Sequence, residues 1–214
     1  MTVVRLDLHV HTSASFDCRV APARMLARAR RVGLTSVAIT DHDTLDGARS
    51  LTWPPPGAFI SGEEIATRDG ELIGLFLSEP IPRGLDAQET VRRIKDQGGL
   101  VYLGHPYDAR RRCLSGDAIE LLADAIDIVE VFNGRSTPEA NRQAGDLCAI
   151  LGAAPGAGSD AHTLEAIGSC YVEIESFATT QGFLSNLREG KVVRQPNRLR
   201  LMAAAGMARL IRRT

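Results

Sequence analysis

Five histidines carry most of the chemical interest of this 214-residue chain: His9, His11, His42, His105 and His162. Each ends or follows a short apolar segment that reads as a β-strand. In His9-Val10-His11 the two imidazoles stand at i and i+2, on one face of a strand, where both can reach one ion. Asp17 follows in a Ser/Thr-rich loop. Asp41-His42 comes after SVAIT, Gly62-Glu63-Glu64 after AFIS, and His105-Pro106 after LVYLG. Asp160-Ala161-His162 lies within GSDAH. Taken singly, each pattern is weak, because an isolated Asp-His is usually a turn and His-Pro usually a strand terminator. Taken together, every histidine of the chain falls where strands end. Imidazoles with carboxylates suit Mn²⁺, Fe²⁺ or Zn²⁺ and disfavour Ca²⁺ or Mg²⁺ alone. The candidates exceed what one tetrahedral ion needs, so the expectation is two or three divalent ions sharing carboxylates.

The elements that must position these groups alternate in type. Strand-like segments are expected at Val3–Val10, Ser36–Thr40, Ala58–Ser61, Leu72–Leu77, Leu100–Gly104, Ile126–Phe132, Ala153–Ala157 and Tyr171–Ile174. Helical spacing covers Ala21–Val32, Asp86–Gln97, Asp117–Asp124, Pro138–Leu151, Phe177–Arg188 and Leu199–Ile211. A rigid turn is expected at WPPPG. Short, fully apolar strands between helices predict parallel pairing and an α/β fold. The chain length suits a compact β/α barrel, in which active-site groups gather past the C-terminal ends of the strands. The prediction is one domain over residues 1–214, with 197–214 a C-terminal helix.

Composition narrows the function classes. Apolar residues make up 44% and charged residues 24%, ordinary for a soluble domain that buries its own core without metal staples. Lys+Arg number 25 and Asp+Glu 26, a formal net charge of -1, which argues against wholesale electrostatic capture of nucleic acid. No apolar run reaches the roughly 18 residues of a membrane span. The N-terminus lacks a secretory pattern, and the four cysteines are scattered with no CxxC pair. Reduced thiols, a cytoplasmic location and no membrane partner are expected.

Seven segments together, RLDLHVHTSASFD, ITDHDTLDGA, SGEEI, GELIGLFL, GGLVYLGHPYD, IVEVFN and GSDAH, resemble the PHP (polymerase and histidinol phosphatase) family. They occur in the family's order, and the likeness is to its small stand-alone metal-dependent phosphoesterases. The resemblance implies a distorted seven-stranded β/α barrel, related to the TIM barrel, with three metals in a cleft. It also implies that His9, His11, Glu64 and Asp160 hold a first ion. Glu64 would bridge to a second ion held by His105, and Asp17, His42 and His162 would hold a third. Glu64 is preferred to Glu63 because the family pattern is Gly, any residue, Glu. Glu71 stands where relatives often carry a histidine, and is expected as a ligand of the second ion; the alternative is a solvated turn residue.

The chemistry expected of such a site is hydrolysis of a phosphate ester by a metal-bridged hydroxide attacking in line, since metal binding acidifies water. No catalytic side chain beyond the metal ligands is identified. Substrate contacts are expected from Asn133 and Arg135, just past the strand IVEVF, and from Arg110 in the run Arg110-Arg111-Arg112, because the guanidinium fork matches phosphate. The alternative role for Asn133 is to cap its own loop. The expected partner is a nucleotide, a nucleoside bisphosphate or the end of a short oligonucleotide. A histidinol-phosphate-type phosphatase, a non-catalytic metal-binding module and an amidohydrolase-like barrel are the alternatives. The last is disfavoured because Lys95 and Lys191, the only lysines, fall in a helix and near the C-terminus.

Overall fold

The alternation of apolar segments with turn signals produces a sheet flanked by helices. The computed structural model describes residues 2–51, 57 and 59–195. In chain order the elements are β1 (Val3–Val10), α1 (Pro22–Arg31), β2 (Ser36–His42), α2 (Asp46–Arg49), β3 (Phe59–Ala66), β4 (Glu71–Leu75), α3 (Ala87–Asp96), β5 (Leu100–Leu103) and α4 (Gly116–Leu121). A 3-10 turn (Ala123–Ala125), β6 (Ile128–Asn133), α5 (Pro138–Leu151), β7 (Ala154–Gly158), β8 (Cys170–Glu175), α6 (Thr180–Arg188) and β9 (Lys191–Arg194) follow. The expected turn at WPPPG and the expected helix at Leu199–Ile211 lie outside the described residues, apart from Gly57.

Local signals explain the helix ends. Asp86, Ser115, Thr137 and Thr179 each accept a hydrogen bond from a backbone N–H in the first turn of the helix that follows. Pro138 starts α5, and Gly152 ends it with φ +61°. The strand β5 shows why its sequence is continuously apolar. Val101 and Leu103 pack on one side with α3, α4 and α5, while Leu100 and Tyr102 pack on the other with Ile128, Ala154 and Phe183. Both faces are buried, so neither needs polar residues.

The sheet corrects two expectations. It has nine strands among the described residues instead of seven, in the order β7-β6-β5-β4-β3-β2-β1-β8-β9. It is also mixed: β4 runs antiparallel to both β3 and β5, and β8 runs antiparallel to β1 and β9. The cause of the first reversal is loop length. Only residues 67–70 join β3 to β4, and a parallel return needs a crossover of about a dozen residues. The hairpin therefore puts the N-terminal end of β4 beside the C-terminal end of β3, with Glu71 opposite Ala66. In addition, β3 extends past Ser61, so Glu63 and Glu64 lie within the strand.

The sheet curls until the chain just past β7 meets the end of β1 at one rim. Val10 bridges Ala161 in parallel, the His11 N–H donates to the Ala161 carbonyl (3.0 Å), and the Asp160 N–H donates to the His9 carbonyl (2.8 Å). At the opposite end of β1, residues Val3–Leu6 pair with β8. The barrel is thus closed at the rim where the histidines collect, and β8 fills the seam below. A Cβ on Gly158 would stand 2.2 Å from His9 Cβ, so only glycine lets β7 approach β1 this closely.

Candidate metal centre

His9 and His11 leave β1 on one face, as their spacing requires, and both are buried. Their outer nitrogens have partners that define the proton positions. His9 Nδ1 lies 3.1 Å from Glu130 Oε1, and a carboxylate only accepts, so Nδ1 carries the proton. His11 Nδ1 lies 3.0 Å from Ser15 Oγ. That hydroxyl donates its own proton to Asp41 Oδ1 (2.7 Å), so it accepts from His11. Both Nε2 lone pairs therefore point inward, and they face each other at 3.1 Å.

Two bare lone pairs at that distance repel, and either a proton on His9 Nε2 or a metal cation between the two nitrogens removes the repulsion. Glu64 Oε2 lies 3.3 Å from His9 Nε2 and 3.2 Å from His11 Nε2, and Asp160 Oδ1 lies 3.5 Å from His11 Nε2. Adjacent donors 2.0–2.1 Å from a common ion are separated by roughly 2.8–3.4 Å, from octahedral to tetrahedral geometry. The His9, His11 and Glu64 side chains as placed thus fit the donor spacing of a divalent ion, while Asp160 Oδ1 stands wider, 3.9 Å from His9 Nε2.

The remaining candidates converge on the same rim. His42 ends β2; its Nδ1 lies 3.4 Å from Glu64 Oε2 and its Nε2 lies 3.6 Å from Asp17 Oδ2. His162 Nε2 lies 2.9 Å from Asp17 Oδ2. His105 Nε2 lies 2.9 Å from Glu64 Oε1, while its buried Nδ1 has no hydrogen-bond partner. The ligand atoms form overlapping groups within 4.8 Å of one another: His11, Asp17, His42 and His162; His9, His11 and Glu64; His9, His105 and Asp160; Glu64, Glu71 and His105. All nine residues singled out as ligands are among them. Glu71 reaches the rim because β4 is reversed. Glu63 faces away and accepts from the Ile81 N–H (2.9 Å).

The field in this cluster is strongly structured. Burial would push Glu64 up, but His9, His105 and His11 outweigh it and hold the carboxyl well below its usual range. Burial would push His9 down, yet Glu130, Glu64 and Asp160 hold it well above. Asp160 is drawn down to about 2 against burial, chiefly by His9 and His11. Burial, then the neighbouring Glu64, raises Glu71. Carboxylates packed this densely make a potential that a divalent cation neutralises. His105 (φ +32°) and Asp160 (φ +52°) also carry left-handed backbones, uncommon for residues with a side chain. The His105 N–H donates to Glu130 Oε2 (2.9 Å), which helps hold that conformation.

The three expected substrate contacts separate. Arg135 Nη1 lies 2.8 Å from His162 Nδ1 and 3.3 Å from Asp160 Oδ1, at the edge of the cluster. His162 Nδ1 also lies 2.9 Å from the Asp160 carbonyl. These contacts are alternatives, and the carbonyl one leaves Nε2 bare for an ion. Arg110 pairs with both Asp108 oxygens (2.9 and 2.8 Å) and reaches the Arg135 carbonyl, so it braces a loop beside the site. Asn133 is 1% exposed and faces inward. Its Oδ1 accepts from the Arg135 and Ser136 N–H groups, and its Nδ2 donates to Glu130 and Asp160. Asn133 is therefore the loop cap of the alternative reading, because two successive N–H groups past β6 need an acceptor.

Three further residues take roles that the sequence did not assign to them. Glu130 accepts from His9, Tyr102, His105 and Asn133. Asp41 accepts from the Thr12 N–H and hydroxyl (both 2.6 Å) and from Ser15. Arg111 Nη2 lies 2.5 Å from Asp160 Oδ2. The available signal was a single acid inside an apolar strand, as in IVEVF, since a buried charge requires partners. A hollow of about 300 Å³ is lined by Arg110, Arg111 and Arg135. A larger, mostly apolar one of about 630 Å³ lies between α4 and α5 and includes none of the nine ligand candidates. The chemistry, not the larger volume, marks the site.

Comparison with known proteins agrees with this fold. The PHP domain family matches residues 7–121, and the PHP-associated family matches residues 138–192. The uncharacterized protein MJ0417 of Methanocaldococcus jannaschii is 37% identical over 177 residues, covering 79% of this chain and 70% of its own. The fold is similar to that of PsfC from Pseudomonas syringae PB-5123, with TM-score 0.72 at 20% identity, covering 98% of this chain and 99% of that one. It is also similar to a two-domain protein from Bacteroides vulgatus containing a predicted PHP-like metal-dependent phosphoesterase. There the TM-score is 0.68 at 20% identity, with 91% of this chain and 65% of that one covered. On the matched residues and this shared fold, the chain belongs to the PHP domain family.

Proposed function

We propose that the protein is a metal-dependent phosphoesterase acting on a nucleotide, a nucleoside bisphosphate or the end of a short oligonucleotide. The observation that carries this reading is the convergence of nine imidazole and carboxylate side chains that could hold metal at one barrel rim, with guanidinium groups at its edge. His9, His11, Glu64 and Asp160 would hold one ion, Glu64, Glu71 and His105 a second, and Asp17, His42 and His162 a third. When bound, Mn²⁺, Fe²⁺ or Zn²⁺ ions supply an acidified water and positive charge for phosphoryl oxygens.

The chain's own groups do the rest. Glu130 and Ser15 hold His9 and His11 in the tautomers that present Nε2. Arg135 and Arg111 can turn their donors from Asp160 toward the non-bridging oxygens of a phosphate. A site combining cations with arginines favours an anionic ester over a neutral amide.

The test is a phosphoester panel with Mn²⁺ on the wild type and on His162→Ala. Turnover by the wild type and loss in the variant support the reading. Equal activity in the two, or hydrolysis of amides alone, overturns it. Activity on a short oligonucleotide with none on mononucleotides shifts the substrate within the class.

A further inference from the structure

The loop between His11 and Asp17 carries a phenylalanine that the metal cluster does not use. Phe16 is 85% exposed, yet the residues around it are tightly held. The Ser13 N–H donates to the Val20 carbonyl (2.8 Å), the Ser15 N–H to the Thr12 carbonyl (3.0 Å), and Thr12 is fastened to Asp41. The Phe16 ring lies almost parallel to His42, at 26° with centroids 4.9 Å apart. Its exposed remainder opens to solvent beside a group that also contains Asp17 and His162. Arg135 approaches that group from the His162 side, and the His42 and His162 rings lie 6.5 Å apart.

A lone exposed apolar residue ordinarily needs no explanation. Here a firmly anchored loop presents an aromatic ring to water at the edge of a charged cluster, with a guanidinium across that cluster. We infer that Phe16 is the stacking platform for the flat ring of the substrate, a nucleobase joined through its sugar to the phosphate held at the cluster. Base–aromatic stacking tolerates any base, because every base has a π-face. Phe16 then determines specificity toward nucleotides over aliphatic phosphates. This assignment rests on the phosphoesterase reading for the location of the phosphate.

Two measurements test it. In the first, the kcat/KM ratio of adenosine 5′-monophosphate to glycerol phosphate is compared for the wild type, Phe16→Ala and Phe16→Trp with Mn²⁺. The ratio is expected to fall about tenfold in Phe16→Ala and to be retained in Phe16→Trp. An unchanged ratio, including an equal loss on both substrates, overturns the assignment and leaves the phosphoesterase reading standing. In the second, equilibrium binding of the fluorescent nucleotide ethenoadenosine monophosphate is followed by anisotropy. This needs no turnover, so it decides the matter even if no phosphoester is hydrolysed. About tenfold weaker binding by Phe16→Ala, with Phe16→Trp at least as tight as the wild type, supports stacking. Equal affinity in wild type and Phe16→Ala, or no binding by the wild type, overturns it.

Discussion

His9 Nδ1 lies 3.1 Å from Glu130 Oε1, and both side chains are sealed from solvent. The contact assigns the imidazole proton to the outer nitrogen and leaves Nε2 as a donor toward the pocket. Glu130 does more than this, because Tyr102, the His105 backbone and Asn133 donate to the same carboxylate. One buried acid thereby orients ligands from β1 and from the loop after β5. Such a charge inside the barrel is tolerable only because four donors satisfy it.

Glu130→Gln is therefore expected to weaken metal binding about 10–100-fold, since the amide cannot accept from all these donors. Competition titration with a chromophoric chelator measures the change. Unaltered affinity in a variant with native circular dichroism would show that Glu130 does not position the ligands.

Glu71→Gln separates the groups within the cluster. Glu71 meets only Glu64 and His105 among the ligand groups. The expected outcome is loss of about one ion per chain with the others retained, read by metal analysis of protein purified without chelator. Full stoichiometry in the variant would leave Glu71 as a half-buried bystander.

The β1–β7 closure predicts a stability effect at a residue that itself offers no ligand atom. A methyl group on Gly158 meets His9 Cβ at 2.2 Å and the His9 nitrogen at 2.8 Å. Gly158→Ala is expected to cost about 2 kcal/mol or more, because packed backbone has no slack to yield. Urea denaturation of the metal-free protein reads the shift in midpoint; a change under about 0.5 kcal/mol would show that the seam is looser than described.

Asp108 supplies a pH signature. Its side chain is buried against Arg110 and Ser136, and the Arg110 guanidinium holds the carboxyl well below the usual carboxylate range. A carboxyl depressed on folding stabilises fully above its unfolded value near 3.9, and the contribution declines as pH falls from there toward the folded value. Asp108→Asn is expected to flatten the acid limb of the stability profile below about pH 4. The check is denaturant midpoints for both proteins across that range; parallel acid limbs would contradict the coupling.

Much of the site was legible before folding because ligand chemistry is local to residue type. His9 and His11 declare their shared face by the two-residue period of a strand, and the helix Pro138–Leu151 forms with the bounds its apolar spacing predicts. Those features depend on neighbours along the chain. What tertiary structure alone decided depends on neighbours across it. The reversal of β4 brings Glu71 to the rim, although a run of apolar residues says nothing of strand direction. The inward turn of Asn133 answers two needs at once: the Arg135 and Ser136 N–H groups require an acceptor, and the Glu130 and Asp160 carboxylates require a donor, the latter coming within reach only after β6 and β7 pair. The importance of Glu130 lay hidden for the same reason: a single acid in an apolar strand announces that it needs partners, and the closed barrel determines which ones it meets.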